Sequence, residues 1–435
     1  VPVEVIEHLP PELTGPDADR YEILGTKTTF RLAQRAASYV VLKCERPVFR
    51  RKDTEKPVTT PAPPNVLDNS LADVSLLAGL LVDKFQFHLP LYRQHQRIQQ
   101  AGVTVSRSTL TNLVKRAIDL LRPIVDAQTD NVLRSRVLAM DETPIKAGHQ
   151  GRAGPKPGKM KSGWFWPLYG DDDEVVFTYS NSRGRGHIEQ VLSEQFTGTL
   201  ISDGYAAYAR YAETQQGVTH AQCWVHGRRT FIEAQKEHPQ EATEALQQIA
   251  ALYHNEDSIR AQQLTGETKR QYRLAHSKPV VDGFFQWCRD QLERGDLLPS
   301  DALTKALNYM LSREASLTVF LEDPDVQPDT NHLERALRPI PMGKKNWMFC
   351  WTELGAEHLG IIQSLITTCK LHDVNPYTYL VDVLQRISEH PASEVAALTP
   401  RQWKTCFADK PLRSLIDPRH PQRQPEPSET LRHAH

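Results

Sequence analysis

With 435 residues the chain is long enough for roughly two to four domains and a substantial core. Lys+Arg 52 against Asp+Glu 53 leave a formal net charge of -1, so no field of one sign covers the molecule and any grip on a polyanion must come from local patches. Six cysteines without paired spacing exclude a disulfide framework and fit a reducing cytoplasm. No apolar run approaches the ~20 residues of a membrane span. No signal peptide is read, and because the chain begins at Val1 without a methionine, further N-terminal residues are expected.

Residues 1–52 alternate polar and apolar positions in short runs, notably Ser38-Tyr39-Val40-Val41-Leu42, and read as a small β-rich unit. Its second half is basic, with Arg31, Arg35, Lys43, Arg46, Arg50, Arg51 and Lys52 against Glu45; phosphate contact and an ordinary solvated surface both remain open. Pro57, Pro61, Pro63 and Pro64 mark a stiff linker over 53–69. A helical module follows over 70–133. Leu76, Leu77, Leu80 and Leu81 give one apolar face, Tyr92 to Gln100 a second helix, and Ser108 caps a third that runs through Leu121. The short connection Ala101 to Thr104 suits a helix-turn-helix, in which Arg107, Asn112, Lys115 and Arg116 face DNA. In a plain helical connector the same residues are only the wet face.

From residue 134 the pattern turns to strands. The apolar run Val137 to Met140 stops at Asp141. Gly163 to Tyr169 and Glu174 to Tyr179 are separated by Gly170 and the acidic run Asp171 to Asp173, a hairpin turn. A helix is expected from His187 to Gln195, then a strand, Thr199 to Ile201, ending at Asp203, then a short strand through Gln222 to Trp224. A three-strand meander, a helix and further strands with crossovers is the order of a ribonuclease H-like fold, and it places Asp141 and Asp203 on neighbouring strands. A second basic run, Lys146, Arg152, Lys156, Lys159 and Lys161, contains no acid.

Residues 237–325 are helical and highly charged, with Leu303, Leu307, Met310, Leu317 and Leu321 on one stripe, and read as an all-helical insertion that supplies DNA or subunit contacts or simply its own core. The catalytic core resumes over 326–390: a helix carrying Asn331 and Glu334, a turn at Gly343-Lys344-Lys345-Asn346-Trp347, a helix over 353–371, and another over 377–388 started by Asn375-Pro376. A C-terminal extension, 391–435, closes with a disordered tail from Pro418 that contains Pro421, Pro425 and Pro427. The fold class read from this order is α/β: a ribonuclease H-like catalytic domain (134–236 and 326–390) interrupted by the helical insertion and preceded by the β-rich unit and the helix-turn-helix-like module.

Asp141, Asp203 and Glu334 carry the chemistry. Two stand where a buried strand stops and the third lies one turn into a helix, and three carboxylates brought together can hold hard cations such as Mg²⁺ across a phosphodiester. Each also has a plainer reading. Asp203-Gly204 forms turns, Asp141-Glu142-Thr143-Pro144 is an ordinary strand exit, and Asn331 with Glu334 has the pattern of a helix cap with a reciprocal Glu, with Arg338 as an i,i+4 partner. His220, Cys223 and His226 spell H-x-x-C-x-x-H. Strand geometry at one end and helix geometry at the other keep the three from one ion, and no fourth ligand is near, so zinc is not assigned.

The stretch NHLERALRPIPMGKKNWMFCWTELGAEHLGIIQSLITTCKLHDVNPYTYL, from Asn331 to Leu380, resembles the C-terminal signature of the insertion-sequence sixty-six transposases, the TnpC-like proteins of the DDE type. HLPLYRQHQRI from His88, SRSTLTNLV from Ser106, MDETP, SDGY and CWVHGRRTF from Cys223 match in the family's order, over about Leu71 to Leu415. The resemblance implies that Asp141, Asp203 and Glu334 are the catalytic, metal-binding triad, with two Mg²⁺ or Mn²⁺ ions, Asp141 bridging both. It implies a role for Cys223 and His226 in shaping the site, with a buried structural pair as the plainer alternative. Asn331 is an accessory candidate for orienting water or DNA, and Arg228, Arg229, Lys344 and Lys345 are candidates for phosphate contacts. The expected partners are double-stranded DNA, both element ends and target, and a second copy of the chain in a homodimer or larger assembly, with accessory proteins where needed and no membrane. The expected location is the cytoplasm, on the nucleoid when DNA is bound. The family's Cys-rich zinc segment is not carried over, because Pro10 to Cys44 keeps only Cys44. Two other functions share these residues: a ribonuclease H-like structure-specific nuclease that cuts without joining, and a non-enzymatic DNA-binding protein descended from a transposase.

Overall fold

The computed structural model describes residues 3–10, 20–35, 38–52, 57–149, 160–193, 196–347, 350, 352–417 and 419. Arg152, Lys156 and Lys159 of the second basic run and nearly all of the tail from Pro418 lie outside them. The chain divides into two compact units. One comprises Val1–Gln128, Met342–Met348 and Leu354–His435, the other Thr129–Pro341 and Phe349–Glu353.

The first unit opens with a four-stranded sheet of β1 (Val3–Glu7), β2 (Tyr21–Arg35), β3 (Ser38–Arg51) and β4 (Pro57–Val58). β2 and β3 form a long antiparallel ribbon from Tyr21↔Arg51 to Arg35↔Ser38, β1 adds in parallel to β3, and β4 also pairs with β3. Alternation along the strands sends Ile6, Ala33, Val40, Leu42 and Cys44 to one face, where Leu415 and Ile416 close the core. The helices α1 (Val74–Phe85), α2 (Leu91–Gln100) and α3 (Arg107–Leu133) follow. Asp73 caps α1 by accepting from Ser75 N at 2.9 Å, and Leu76, Leu77, Leu80 and Leu81 are all buried, as their spacing predicts. The cap of α3 is Ser106, whose Oγ accepts from Thr109 N at 3.0 Å, and not Ser108, which lies inside the helix. The α2–α3 connection therefore runs over 101–106, longer than the sequence suggested, and turns at Gly102 with φ 84°.

In the second unit a six-stranded mixed sheet is built from β5 (Val137–Met140), β6 (Thr143–His149), β7 (Met160–Tyr169), β8 (Val175–Ser180), β9 (Gly198–Ser202) and β10 (Val218–Gln222). Its order is β10-β9-β5-β7-β6, with β8 paired to the other edge of β7. β5, β9 and β10 are mutually parallel; β7 runs antiparallel to β5, β6 and β8. The β7–β8 hairpin turns through Asp171 to Asp173, as read from the sequence, with Gly170 N donating to Glu174 O at 3.0 Å. β6 was not anticipated: Asp141 and Glu142 interrupt the run, and the chain resumes as a separate strand at the proline-containing Thr143-Pro144.

Helices α4 (Arg185–Leu192) and α5 (Ala206–Thr214) flank β9, and α6 (Trp224–Ala234) follows β10. β10 ends at Gln222, so Cys223 caps α6 and Trp224 opens it instead of closing a strand. Then come α7 (Pro239–Ala261), α8 (Gly266–Tyr272), a π-helical turn at Arg273–Ser277, α9 (Lys278–Glu293), α10 (Ala302–Leu311), and the short α11 (Glu314–Leu317) and α12 (Val319–Glu322). The stripe Leu303, Leu307, Met310, Leu317 and Leu321 is buried core. Gly227 lets α6 lie against α10, because a Cβ there would run into Met310 Sδ. The π-helical turn places the fully buried Arg273 against Glu256, with Nε and Nη2 donating at 2.9 and 2.8 Å.

Glu334 lies on α13 (Asn331–Leu337), followed by α14 (Pro339–Trp347), α15 (Glu353–Leu371), α16 (Pro376–Arg386) and α17 (Pro400–Cys406). The segment Gly343 to Trp347 is helical, not a turn, since Pro339 and Pro341 sit in the first turn of α14, where a missing N–H costs nothing. Asn375 caps α16 as its Asn-Pro pair suggests, accepting from Tyr377 N and Thr378 N at 2.9 and 3.1 Å. No helix among the described residues is long and apolar enough to cross a membrane.

Candidate active site

Register alone aligns the first two carboxylates. β5 pairs with β9 as Val137↔Thr199, Leu138↔Leu200 and Ala139↔Ile201, so the same offset brings Asp141 level with Asp203 just past the strand ends. β9 pairs with β10 through Ser202↔Gln222, which puts Cys223 next in that row, and Cys223 N donates to Ser202 O at 3.1 Å. All three residues thus stand at the C-terminal ends of parallel strands, where successive residues leave the ladder and the chain must turn.

Local chemistry fixes each. Asp203 Oδ1 accepts from Tyr205 N at 2.8 Å, so the turn-forming role holds together with its place in the row. Gly204 is required there because a Cβ would strike the Tyr309 ring. Asp141 Oδ1 accepts from Glu142 N at 2.7 Å. Glu334 reaches the row through two ties between strand end and helix: Trp224 N donates to Pro328 O at 2.9 Å, and Thr330 N donates to Cys223 Sγ at 3.4 Å. Across that junction His226 Nε2 stands 3.9 Å from Glu334 Oε1. The reciprocal Asn331–Glu334 cap is not formed. Asn331 is the first residue of α13, and its side-chain amide donates to Asp329 Oδ2 at 2.8 Å.

Burial pushes the Asp141 carboxyl up to about 7, and the negative charges of Asp203, Glu142 and Glu334 add to the rise against the lowering bond from Glu142 N. Asp141 therefore feels the charge of the other two acids. Among the described residues, however, no three His, Cys, Asp or Glu side chains are grouped closely enough to hold a metal ion as they stand. Burial lowers the His220 pKa to about 4, leaving a neutral ring whose Nε2 bonds Ser202 Oγ at 2.8 Å, and burial raises the Cys223 thiol. His220 bonds Ser202, Cys223 accepts from Thr330 N, and His226 stands beside Glu334.

Sequence reasoning missed the shell around this row. Glu142 is almost wholly buried at 2% side-chain exposure, accepting from Arg183 Nε at 2.8 Å and from the Tyr208 hydroxyl at 2.7 Å. Arg183 lies over the Tyr205 ring at 4.4 Å, and the Tyr205 hydroxyl donates to Arg183 O at 2.8 Å. Arg313, over the Tyr309 ring at 3.9 Å, donates to Gly204 O at 3.4 Å. The only sequence signal was adjacency, since Glu142 follows Asp141 and Tyr205 and Tyr208 follow Asp203.

Among the basic candidates, Arg228 and Arg229 are exposed on α6, the helix that carries His226. Arg107, Lys115 and Arg116 are exposed on α3, with Arg107 5.8 Å from the Tyr92 ring and Arg116 donating to Asp68 O at 2.9 Å. Those three, with Lys344 and Lys345 of α14, belong to the first unit.

The family model described as Transposase IS66 family matches residues 69–358, and the IS66 C-terminal element matches residues 364–401. This chain belongs to the IS66 transposase family. Among its relatives, the uncharacterized protein y4hP of Sinorhizobium fredii is 31% identical over 93% of this chain and 75% of its own length. The uncharacterized protein y4jD of the same organism is 30% identical over 88% of this chain and 73% of its own length. Among solved structures, the Mos1 strand transfer complex matches at a TM-score of 0.14 and 11% identity, over 37% of this chain and 59% of that one. The Mos1 transposase paired-end complex with left transposon end matches at 0.14 and 10%, over 38% and 61%. This IS66 chain thus spans less than two thirds of either Mos1 chain, and a likeness that slight carries no weight for the fold.

Proposed function

We propose that this IS66-family chain is a DNA transposase that cuts and joins strands at the row formed by Asp141, Asp203 and Glu334. What supports the reading is that register brings Asp141 level with Asp203 past the ends of paired parallel strands, and that Asp203 and Glu334 both lie near enough to add to the raised pKa of Asp141. The sheet order, with β8-β7-β5 antiparallel and β9 and β10 added in parallel, supports a ribonuclease H-like core in which α7 to α12, within 237–325, form a helical insertion before the Glu334 helix.

The donor set, oxygen only, fits a hard divalent cation such as Mg²⁺ or Mn²⁺, and because burial first and the neighbouring acids after it raise the Asp141 pKa, a cation there would favour its charged form. When bound, two such ions would activate the attacking oxygen and stabilise the leaving 3′-oxygen. The chain's own residues do the rest. Asp141, Asp203 and Glu334 would supply the oxygens, and their side chains must rotate closer to do so. Arg183 and the Tyr208 hydroxyl hold Glu142 back from that set, so it adds negative potential without competing as a ligand. His226 stands beside Glu334, and no Ser or Tyr nucleophile is called for, because water or a DNA 3′-hydroxyl can occupy the same attacking position. The partner is double-stranded DNA, gripped by local Arg and Lys contacts, and pairing two element ends calls for at least two copies of the chain.

The test is to incubate pre-cut element ends, target DNA and Mg²⁺ with the wild-type protein and with Asp141→Asn. Joined product with the wild type alone supports transposition. Cleavage without joining favours a structure-specific nuclease, and binding with neither favours a non-enzymatic DNA-binding descendant.

A further inference from the structure

The corner between α10 and α11, in the segment that separates Asp203 from Glu334, is tied to the strand ends at three points. Arg313, the residue before α11, donates through Nη2 to the carbonyl of Gly204, next to Asp203, at 3.4 Å. Ser316 Oγ donates to Gln222 Oε1 at 3.3 Å, at the end of β10. Trp224 Nε1, just past Cys223, donates to Leu317 O at 2.8 Å. The fit is close, because the Tyr309 ring fills the space that a Cβ on Gly204 would need, and Arg313 lies over that ring at 3.9 Å.

Among the described residues Arg313 forms no ion pair. Its other bonds also go to neutral oxygens, Nη1 donating to Tyr309 O at 3.1 Å and to Ser312 Oγ at 2.9 Å. The buried Nε has no hydrogen-bond partner among the described residues, and the adjacent Glu314 is paired with Arg289. A guanidinium drawn partly out of water without a carboxylate is costly, so packing alone would be served better by an uncharged side chain. Its place relative to Asp203 shows in two neighbouring rings. After burial, the charges that act next on both His220 and Tyr309 are those of Asp203 and Arg313, with opposite signs.

We propose that Arg313 is a positioning residue for Asp203. By holding the Gly204 carbonyl it fixes the backbone turn from which the Asp203 carboxylate projects, the turn closed by Tyr205 N donating to Asp203 Oδ1 at 2.8 Å. Bonding the neutral carbonyl suits this role, since a direct ion pair would occupy the carboxylate oxygens that a metal needs. The clamp stands on the contacts of Arg313 and Tyr309 with Gly204; its bearing on strand cleavage rests on the transposase reading.

The test reads the turn first without metal. Amide hydrogen exchange is followed in the metal-free wild type, Arg313→Gln, Arg313→Lys and a control, Lys278→Gln, whose lysine is paired with Asp282 on an exposed face. Arg313→Gln should speed exchange at Tyr205 roughly tenfold while Ile201 and Ala221, inside the strands, exchange as in the wild type. Arg313→Lys, a point donor in place of the fork, should fall between the two, and the control should match the wild type. Strand cleavage at saturating Mn²⁺ should then fall roughly tenfold in Arg313→Gln, with half-saturation at higher Mn²⁺. Loss of a positive charge near the acids would by itself strengthen cation binding, so a shift to higher Mn²⁺ identifies orientation as the cause. If Arg313→Gln does not fold, Arg313→Lys against the wild type carries the same comparison. Wild-type exchange at Tyr205 in the folded variant, or exchange that rises equally at Ile201 and Ala221, would overturn the proposal, as would faster exchange with cleavage unchanged. Cleavage retained in Asp203→Asn would overturn the transposase reading of this row instead, so the two failures read out separately.

Discussion

The Tyr208 hydroxyl donates to Glu142 Oε2 at 2.7 Å, and with Arg183 on the other oxygen it occupies the acid that stands beside Asp141. Both Tyr208 and the Glu142 side chain are buried, so removing the hydroxyl leaves a buried carboxylate short of a donor. Tyr208→Phe should lose about 1–3 kcal/mol of stability, read as a lower urea midpoint with an unchanged slope. A midpoint equal to that of the wild type would show that this bond does not restrain Glu142.

A second expectation concerns pH. The Asp141 carboxyl titrates near 7 in the folded chain against about 4 when unfolded, so the folded state binds this proton more tightly. Its contribution to stability is present below about pH 4 and is lost as pH rises through 7. Metal-free Asp141→Asn should therefore be at least as stable as the wild type at pH 8 and should lack this loss between pH 4 and 7. A variant markedly less stable than the wild type at pH 8 would contradict the account.

Much of this was legible beforehand because it depends on local pattern. Two short apolar runs ending at Asp141 and Asp203, a hairpin signalled by Asp171 to Asp173, and the Asn375-Pro376 start each reflect chain geometry over a few residues. What escaped notice depends on tertiary neighbours. Ser106 instead of Ser108 caps α3, Asn331 turns to Asp329 instead of Glu334, and β6 forms because β7 offers it a partner. The Glu142–Arg183–Tyr208 cluster joins three separated segments, and only folding shows that the Glu142 carboxylate is held by Arg183 and Tyr208.

Close helix packing supplies a further check. Gly227→Ala would drive a methyl into Met310 Sδ where α6 meets α10. Overpacking of this kind costs typically ~1–3 kcal/mol, and because α6 carries His226, cleavage should fall along with the melting temperature. Met310→Ala in the same chain should restore part of the stability. Because alanine gains up to ~1 kcal/mol of helix propensity over glycine, the contact is read from the difference between the effect of Gly227→Ala in the wild type and in the Met310→Ala chain, and no difference would show that the helices are not packed as closely as described.

DNA binding through the helical module is tested by salt. Neutralising Arg107, Lys115 and Arg116 together should flatten the dependence of duplex affinity on salt by roughly one unit for each phosphate that these side chains neutralise in the wild type. An unchanged slope would move DNA binding elsewhere, with the basic ribbon of β2 and β3 as the next place to look.

The most direct measurement is a crystal of the protein soaked in Mn²⁺ and examined for anomalous scattering. Density between the carboxylates of Asp141, Asp203 and Glu334, absent from Asp141→Asn, is the predicted result. Manganese bound elsewhere, or no density between these side chains at Mn²⁺ concentrations that support cleavage, would contradict the claim that this row is the catalytic centre.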